Sequence, residues 1–288
     1  MMLLKMMGAL NYVIFKFVPK KILFFIYKKS VNKNHLNDVN YELNGKKIAV
    51  LAPHPDDEYL AIESLDIDEL KGAVTYFQLT DGLSNFDFNA LGRLLRINET
   101  YEYLYNKGAS DGNIIRLQYD KYFSNLEFDV VKSKFICDFD INSFDVIFTI
   151  NPLDWHEEHF QTNFLLYESL SLLSPEELDT ISIYLYPVTT PLPDDMKSHY
   201  SYHRKAIAGR LFFRSQSTLL DRIDILNSAI IDGEVSFYTE YSMLSGKDYM
   251  KYFERVAKSQ RASYSLIVRG AWLPFIAQKH VNYINNKL

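Results

Sequence analysis

The stretch that decides the fold is KIAVLAPHPDDE, residues 47–58. Residues 48–53 are apolar or small, and the residues that follow include one imidazole and three carboxylates. A continuous apolar run of this length is typical of a strand covered on both faces in a parallel sheet. Pro53 and Pro55 keep the helical pattern of the next segment from extending back into the strand. The sequence therefore predicts a buried strand that ends in a cluster of polar side chains.

His54 and Asp57 stand three residues apart, close enough for both side chains to reach one metal ion. A source for a third ligand is NPLDWHEEH, residues 151–159, which follows a second apolar run at 145–150. Ligands of open α/β sheets bind outside the carboxyl ends of the strands, so both stretches are expected to face one crevice. Two His and one carboxylate with an open position form a catalytic zinc set, whereas structural sites are closed by four ligands, usually including Cys. Because Cys137 is the single cysteine, the structural kind of site is excluded.

Both stretches resemble the motifs of the LmbE/PIG-L family of zinc-dependent N-deacetylases, which are N-acetylglucosaminyl-phosphatidylinositol de-N-acetylase-like enzymes. The family pattern is His-Pro-Asp-Asp-Glu, matched by residues 54–58, and a later His-X-Asp-His, which residues 156–159 match except at Glu158. The resemblance extends over residues 45–216. It implies one Zn²⁺ per chain, bound by His54, Asp57 and His159. It also implies Asp56 as the general base and His156 as the electrophilic or general-acid group.

Three further residues are expected to contact the substrate or to support the ligands. Glu58 would accept a hydrogen bond that orients a ligand or the preceding loop. Asp81 follows the second predicted strand, and Arg96 lies on the helix after it, as the family resemblance implies.

The chain departs from the family pattern at three places. Glu158 stands where the family usually has Asp, and Leu83 stands where an acid is usual. Residues 59–63 replace the glycines that normally follow the first motif. The last departure lies beside the metal ligands and changes the expected shape of the substrate pocket.

Strand and helix patterns alternate along the chain. Strands are predicted at residues 73–79, 113–118, 145–150 and 181–186, and helices at 62–70, 91–107, 125–138 and 160–172. This alternation is typical of an α/β fold with a doubly wound, mostly parallel, Rossmann-like sheet and helices on both faces. No glycine-rich phosphate loop follows the first strand.

The charge distribution divides the chain into three parts. Residues 1–30 contain six Lys and no acid, although the whole chain carries a net charge of −5. Residues 31–44 are rich in Asn, Asp and Lys and are interpreted as a linker. Residues 45–288 are expected to form one α/β domain, with a C-terminal extension from about residue 217 that shows no assignable motif. The acidic remainder of the chain excludes the basic face of a nucleic-acid-binding protein.

The amino-terminal segment has no apolar run of the about 18–20 residues that a spanning helix needs. It also lacks the small-residue cleavage site of a signal peptide. A cationic, apolar segment of this kind fits an anionic membrane surface, and the alternatives are a helix packed on the domain or a leader without structure. We expect a cytoplasmic protein, either free or peripheral at the inner face of the membrane. A single cysteine, interpreted as a small core residue, is compatible with a reducing compartment.

Two functions remain open from the sequence. The first is a hydrolase that uses zinc-activated water to remove the acetyl group of an N-acetylated amino sugar, free or linked to a lipid or glycan. The second is a membrane-surface binding or scaffold protein with the same fold and reduced catalysis. The complete set of His54, Asp56, Asp57, His156 and His159 favours the enzyme, because a binding protein does not need these residues together.

Overall fold

The computed structural model describes residues 42–62, 65, 73–81, 90–119, 125–153, 157–186, 198–203, 228–231 and 234–263. The amino-terminal segment, His156 and Leu83 lie outside these residues. Most of the predicted helix at 62–70 also lies outside them.

The described strands form one eight-stranded sheet in the order β3-β2-β1-β4-β5-β8-β6, with β7 paired to β8. The strands are β1 Ile48–Ala52, β2 Val74–Gln78, β3 Ile114–Arg116, β4 Val146–Ile150, β5 Ser182–Tyr186, β6 Ser198–His203, β7 Ser228–Ile231 and β8 Glu234–Ser245. Strands β1 to β5 are parallel, and β8 pairs antiparallel with β5, β6 and β7. The order of the parallel strands is that of a doubly wound fold. The predicted fold class is confirmed.

Helices cover both faces of this sheet. They are α1 Asp57–Ile62, α2 Ala90–Asn106, α3 Asn125–Asp138, α4 Glu157–Leu170, α5 Pro175–Thr180 and α6 Gly246–Ser263, with short 3₁₀ helices at Asp111–Asn113 and Ile141–Ser143. Side chains of α1 and α2 pack on one face, and those of α3, α4 and α6 pack on the other. The parallel strands β1 to β5 are therefore buried between two helical layers.

The apolar run of β1 is continuous because both of its faces are buried. Ile48 and Val50 join the core on the α1 side, while Ala49 and Leu51 join the core on the α4 side. Successive side chains of a strand point to opposite faces, so a strand between two helical layers needs an apolar residue at every position. The polar residues therefore begin only after β1 has left the space between the two helical layers.

Helix boundaries differ from the predictions at two places near the polar cluster. Helix α1 begins at Asp57, five residues before the predicted start, and its first turn contains the carboxylates Asp57 and Glu58. Helix α4 begins at Glu157, three residues before the predicted start at residue 160, and its first turn contains His159, as predicted. Acidic side chains are favourable in the first turn of a helix because its free N–H groups carry partial positive charge. The stretch that contains Asp57 thus also starts a helix.

Cys137 is exposed on α3, which contradicts its interpretation as a core residue. The buried positions of this helix include Phe128 and Phe135. Cys137 follows Phe135 by two residues and therefore lies on the opposite side of the helix.

Among the residues that the structure describes, no helix combines the length and apolar character required to cross a bilayer.

Candidate metal centre

The two sequence motifs meet at one edge of the sheet. His54 follows β1, and His159 lies in the helix that follows β4. Strands β1 and β4 are parallel neighbours, with Ile48 opposite Val146. Their carboxyl ends therefore face the same crevice, although His54 and His159 are 105 residues apart in the chain.

The side chains of His54, Asp57 and His159 form a compact, buried triangle. Nδ1 of His54 lies 3.2 Å from Oδ2 of Asp57 and 3.2 Å from Nε2 of His159. Nε2 of His159 lies 3.7 Å from Oδ2 of Asp57. Ligand atoms about 2.0–2.1 Å from a tetrahedral zinc ion lie roughly 3.3–3.4 Å from one another. The three atoms are thus spaced as ligands of one metal ion, and the triad can hold such an ion.

Glu158 fixes the orientation of the His54 ring. Its Oε2 atom accepts a hydrogen bond from Nε2 of His54, and its side chain is almost fully buried. In the neutral ring that a metal ion would bind, a proton on Nε2 leaves Nδ1 unprotonated and facing Asp57 and His159. Ligating histidines usually donate their second N–H to such a carboxylate.

The sequence identified Glu158 only as a replacement of the usual Asp, and its bond to His54 was missed. A general rule could have predicted this bond, because a histidine that binds a metal usually donates its second ring N–H to a carboxylate. Two carboxylates, Glu157 and Glu158, directly precede His159 in the sequence. Only the folded chain shows that Glu158 contacts the ring of the distant His54.

The buried carboxylates favour positive charge at His54. Burial alone lowers the pKa of His54, but its bonds to Asp57 and Glu158 raise that pKa to about 10. Burial also raises the pKa of Asp57, and the two histidines lower it below its ordinary value. A divalent cation at the triad would supply the positive charge that Asp57 and Glu158 attract.

Glu58 is fully buried behind the triad and holds the preceding turn. Its Oε2 atom accepts the N–H of Asp56 at 2.9 Å, and its Oε1 atom accepts Nε2–H of Gln78 at 3.0 Å. Burial raises the pKa of Glu58 to about 8, while hydrogen bonds from backbone N–H groups oppose this rise. These are the contacts through which Glu58 would perform its predicted loop-orienting role.

Asp56 is buried beside the triad in an unusual backbone conformation. Its φ is +112°, in the region that residues with a Cβ rarely adopt. The bond from its N–H to Glu58 and the bond from the N–H of Tyr59 to its carbonyl oxygen stabilise this conformation. Such strain is found where the surrounding structure holds a side chain in one direction.

The remaining predicted site residues, Asp81, Arg96 and His156, are not part of the triad. Asp81, after β2, is buried and accepts a hydrogen bond from Nη2 of Arg116, at the end of β3. No sequence pattern assigned a role to Arg116, and its pairing with Asp81 depends on strands β2 and β3 being neighbours. Arg96 lies within α2. His156 falls outside the described residues, so its predicted role stays a prediction.

No protein-family model and no curated protein matches this chain. Among solved structures, an N,N'-diacetylchitobiose deacetylase from Pyrococcus horikoshii, complexed with its inhibitor MPG, is similar at 16% identity and a TM-score of 0.44, over 84% of this chain and 94% of that one. A deacetylase triple mutant from the teicoplanin biosynthetic pathway is similar at 12% identity and a TM-score of 0.46, over 69% and 98%. Deacetylases are among the structures similar to this chain.

A 4-carboxy-2-hydroxymuconate hydratase from Pseudomonas putida KT2440 is also similar, at 11% identity and a TM-score of 0.37, over 78% of this chain and 92% of that one. One fold can host several reactions, so the reaction has to be inferred from the residues of the site. In the present chain those residues are the triad, Glu158, and the strained Asp56.

Proposed function

We propose that the protein is a zinc-dependent hydrolase that removes the acetyl group of an N-acetylated amino sugar. The observation that carries the proposal is the buried triangle of His54, Asp57 and His159, with Asp56 next to it and outside the ligand set. The resemblance of both motifs to zinc-dependent N-deacetylases supports the choice of substrate class.

The donor set suits zinc. Two imidazole nitrogens and one carboxylate oxygen are borderline and hard ligands, and three protein ligands leave a position open for water or substrate. Bound at the triad, Zn²⁺ would supply a Lewis acid that polarises the amide carbonyl and lowers the pKa of water to about 7.

Asp56 is the proposed general base. Hydrolysis forms a bond from a water oxygen to the acetyl carbon, breaks the bond from that carbon to nitrogen, and moves a proton from water to the leaving amine. Asp56 would take this proton and pass it to the amine nitrogen, releasing acetate and the amino sugar. The hydrogen bond between its N–H and Glu58 holds the backbone of Asp56 in place before the substrate arrives.

His156 and the residues at the neighbouring strand ends complete the proposal. His156 would donate to the carbonyl oxygen as charge develops there. Asp81 and Arg116 lie at the carboxyl ends of β2 and β3, the edge of the sheet that also carries the triad. Asp81 and Arg96 are proposed to bind hydroxyl groups of the sugar.

Metal analysis of the purified full-length protein tests the proposal first. We expect one Zn²⁺ per chain in the wild type and little bound metal in His159→Ala, because two ligands do not replace a three-ligand set. Asp56→Asn is the control and is expected to keep its metal. Wild-type stoichiometry in His159→Ala would contradict the ligand assignment.

Amine release from a panel of N-acetylglucosaminyl compounds tests the reaction next. The zinc-loaded wild type is expected to release a free amine and acetate in equal amounts. A zinc-loaded protein that releases no amine from any compound, yet binds anionic vesicles, would favour the membrane-surface scaffold instead.

A further inference from the structure

Helix α6 packs directly against α4, the helix that carries Glu158 and His159. The ring of Phe253 on α6 lies 5.2 Å from that of Phe160 and 6.1 Å from that of Phe164, measured between centroids. Tyr249 of α6 is fully buried in the same layer. A helix from the part of the chain without a recognisable motif therefore lies behind the metal-binding helix.

A pair of hydrogen bonds leads from α6 to the backbone of His159. The hydroxyl group of Tyr249 donates to Oδ1 of Asn163 at 2.8 Å, and Nδ2 of Asn163 donates to the carbonyl oxygen of His159 at 2.7 Å. Asn163 and Tyr249 are fully buried. The path thus runs through the protein interior and reaches a predicted metal ligand.

The orientation of the Asn163 amide follows from its partners. A second hydroxyl group, that of Thr149 on β4, lies 3.4 Å from Oδ1 of Asn163 as a further donor. The carbonyl oxygen of His159 can only accept a hydrogen bond, so the NH₂ group of Asn163 has to face it. Reversing the amide would place two acceptors against each other at His159.

We infer that Tyr249 is a positioning residue for the metal centre, an inference that rests on the proposed function. The first turn of a helix lacks part of its intrahelical hydrogen bonds and opens more easily than the middle. Asn163, one turn after His159, stabilises this turn, and Tyr249 holds Asn163 in place. Functional ligands have to stay within about 0.5 Å of their productive position.

Tyr252 holds the other end of the same segment. Its hydroxyl group lies 2.9 Å from Oδ1 of Asn151, the residue that follows β4, and both side chains are buried. The backbone N–H of Asn151 donates to the carbonyl oxygen of Tyr186. Residues 151 and 163 bracket His159, so α6 contacts the metal-binding segment on both sides through tyrosine hydroxyl groups.

Tyr167 provides a matched control on the same pair of helices. Its hydroxyl group donates to Oε1 of Glu254 at 3.0 Å and thereby links α4 to α6, eight residues beyond His159. Tyr167→Phe and Tyr249→Phe each remove one hydroxyl group and one link between the two helices. Only Tyr249→Phe interrupts the path to His159.

The experiment measures Zn²⁺ affinity of the full-length variants by competition with a chromophoric chelator, together with the thermal midpoint of the metal-free forms. Direct partners of a ligand contribute about 10–100-fold to metal affinity. Tyr249→Phe acts one residue further away and is expected to weaken Zn²⁺ binding about threefold to tenfold. Tyr167→Phe is expected to lower the thermal midpoint while changing the affinity less than about twofold.

A double-mutant cycle tests the path itself. Once Asn163→Ala has removed the connection, adding Tyr249→Phe is expected to weaken Zn²⁺ binding no further. Asn163→Ala alone, which removes the acceptor of the Tyr249 hydroxyl group, is expected to weaken binding as well and decides the case if Tyr249→Phe does not fold. Tyr252→Phe keeps Asn163 and Tyr249 and tests the separate contact of α6 with Asn151.

Two results would overturn the inference. Equal Zn²⁺ affinity of wild type and Tyr249→Phe would reduce Tyr249 to a purely structural role while leaving the metal site intact. A wild type that binds no Zn²⁺ would overturn both the proposed function and the inference that rests on it.

Discussion

Asp56 combines a buried carboxyl group with a backbone φ of +112°, next to a residue of the metal triad. Asp56→Asn keeps the size and the tolerance for unusual φ values but removes the proton acceptor. We expect the zinc-loaded variant to hydrolyse the substrate about 10²–10⁴-fold more slowly than wild type, the usual loss for a general base. The measurement is amine release at saturating substrate. Undiminished turnover would assign the proton transfer to another group, with Glu58 as the nearest candidate.

Glu158 determines which ring nitrogen of His54 faces the triad. Removing the carboxylate in Glu158→Ala frees the ring to turn and is expected to weaken metal binding about 10–100-fold. Glu158→Asp restores the family residue but shortens the side chain. Its metal affinity is expected to lie between that of Glu158→Ala and that of wild type. Chelator competition measures both effects.

Glu168→Ala is the control for Glu158, because Glu168 lies on the same helix but pairs with Lys132. It is expected to leave metal affinity unchanged. A similar loss in Glu158→Ala and Glu168→Ala would show a general effect on α4 rather than an effect on the His54 ring.

At the scale of elements, Gly246 allows β8 to pass directly into α6 against α5. A Cβ atom at this position would lie 2.9 Å from the carbonyl oxygen of Leu178 and 3.3 Å from its Cδ2 atom. Gly246→Ala is therefore expected to lower the free energy of unfolding by about 1–3 kcal/mol, the usual effect of overpacking. Denaturant titration measures the change.

Gly112→Ala is the matched control, since the nearest atom to its added Cβ would be Oγ of Ser110 at 3.9 Å. A surface change of this kind is expected to stay within about 0.5 kcal/mol of wild type. Equal free energies of unfolding for the two alanine variants would contradict the close packing at the start of α6.

For the whole molecule, the six Lys of residues 1–30 predict attachment to anionic membranes. Each Lys near such a surface contributes about 1 kcal/mol, and salt reduces the contribution. A protein that begins at Asn32 keeps the sheet and the triad and is expected to keep its metal but to lose co-sedimentation with anionic vesicles. Vesicles of neutral lipid are the control. Failure of the full-length protein to co-sediment at low salt would favour a soluble sugar substrate.

Local sequence patterns determined the elements of the parallel half of the sheet and two of the triad residues. The apolar run before His54 predicted β1, because a strand buried on both faces requires apolar residues throughout. The spacing of His54 and Asp57 predicted that both side chains reach one metal ion, because the two residues lie within one turn of chain. The family resemblance added His159, and the structure brings this residue to the other two.

Only the tertiary structure decided the contacts that support these ligands. Glu158 meets His54 across 104 residues, Asp81 meets Arg116 across 35, and Tyr249 meets Asn163 across 86. None of these pairs has a periodicity or a spacing that the sequence displays, because each depends on which strands become neighbours and which helix covers them. For the same reason no local pattern marked β8 and α6 as part of the fold. The sequence indicated the candidate ligands of the centre, and the packing of distant segments determined how their side chains are oriented.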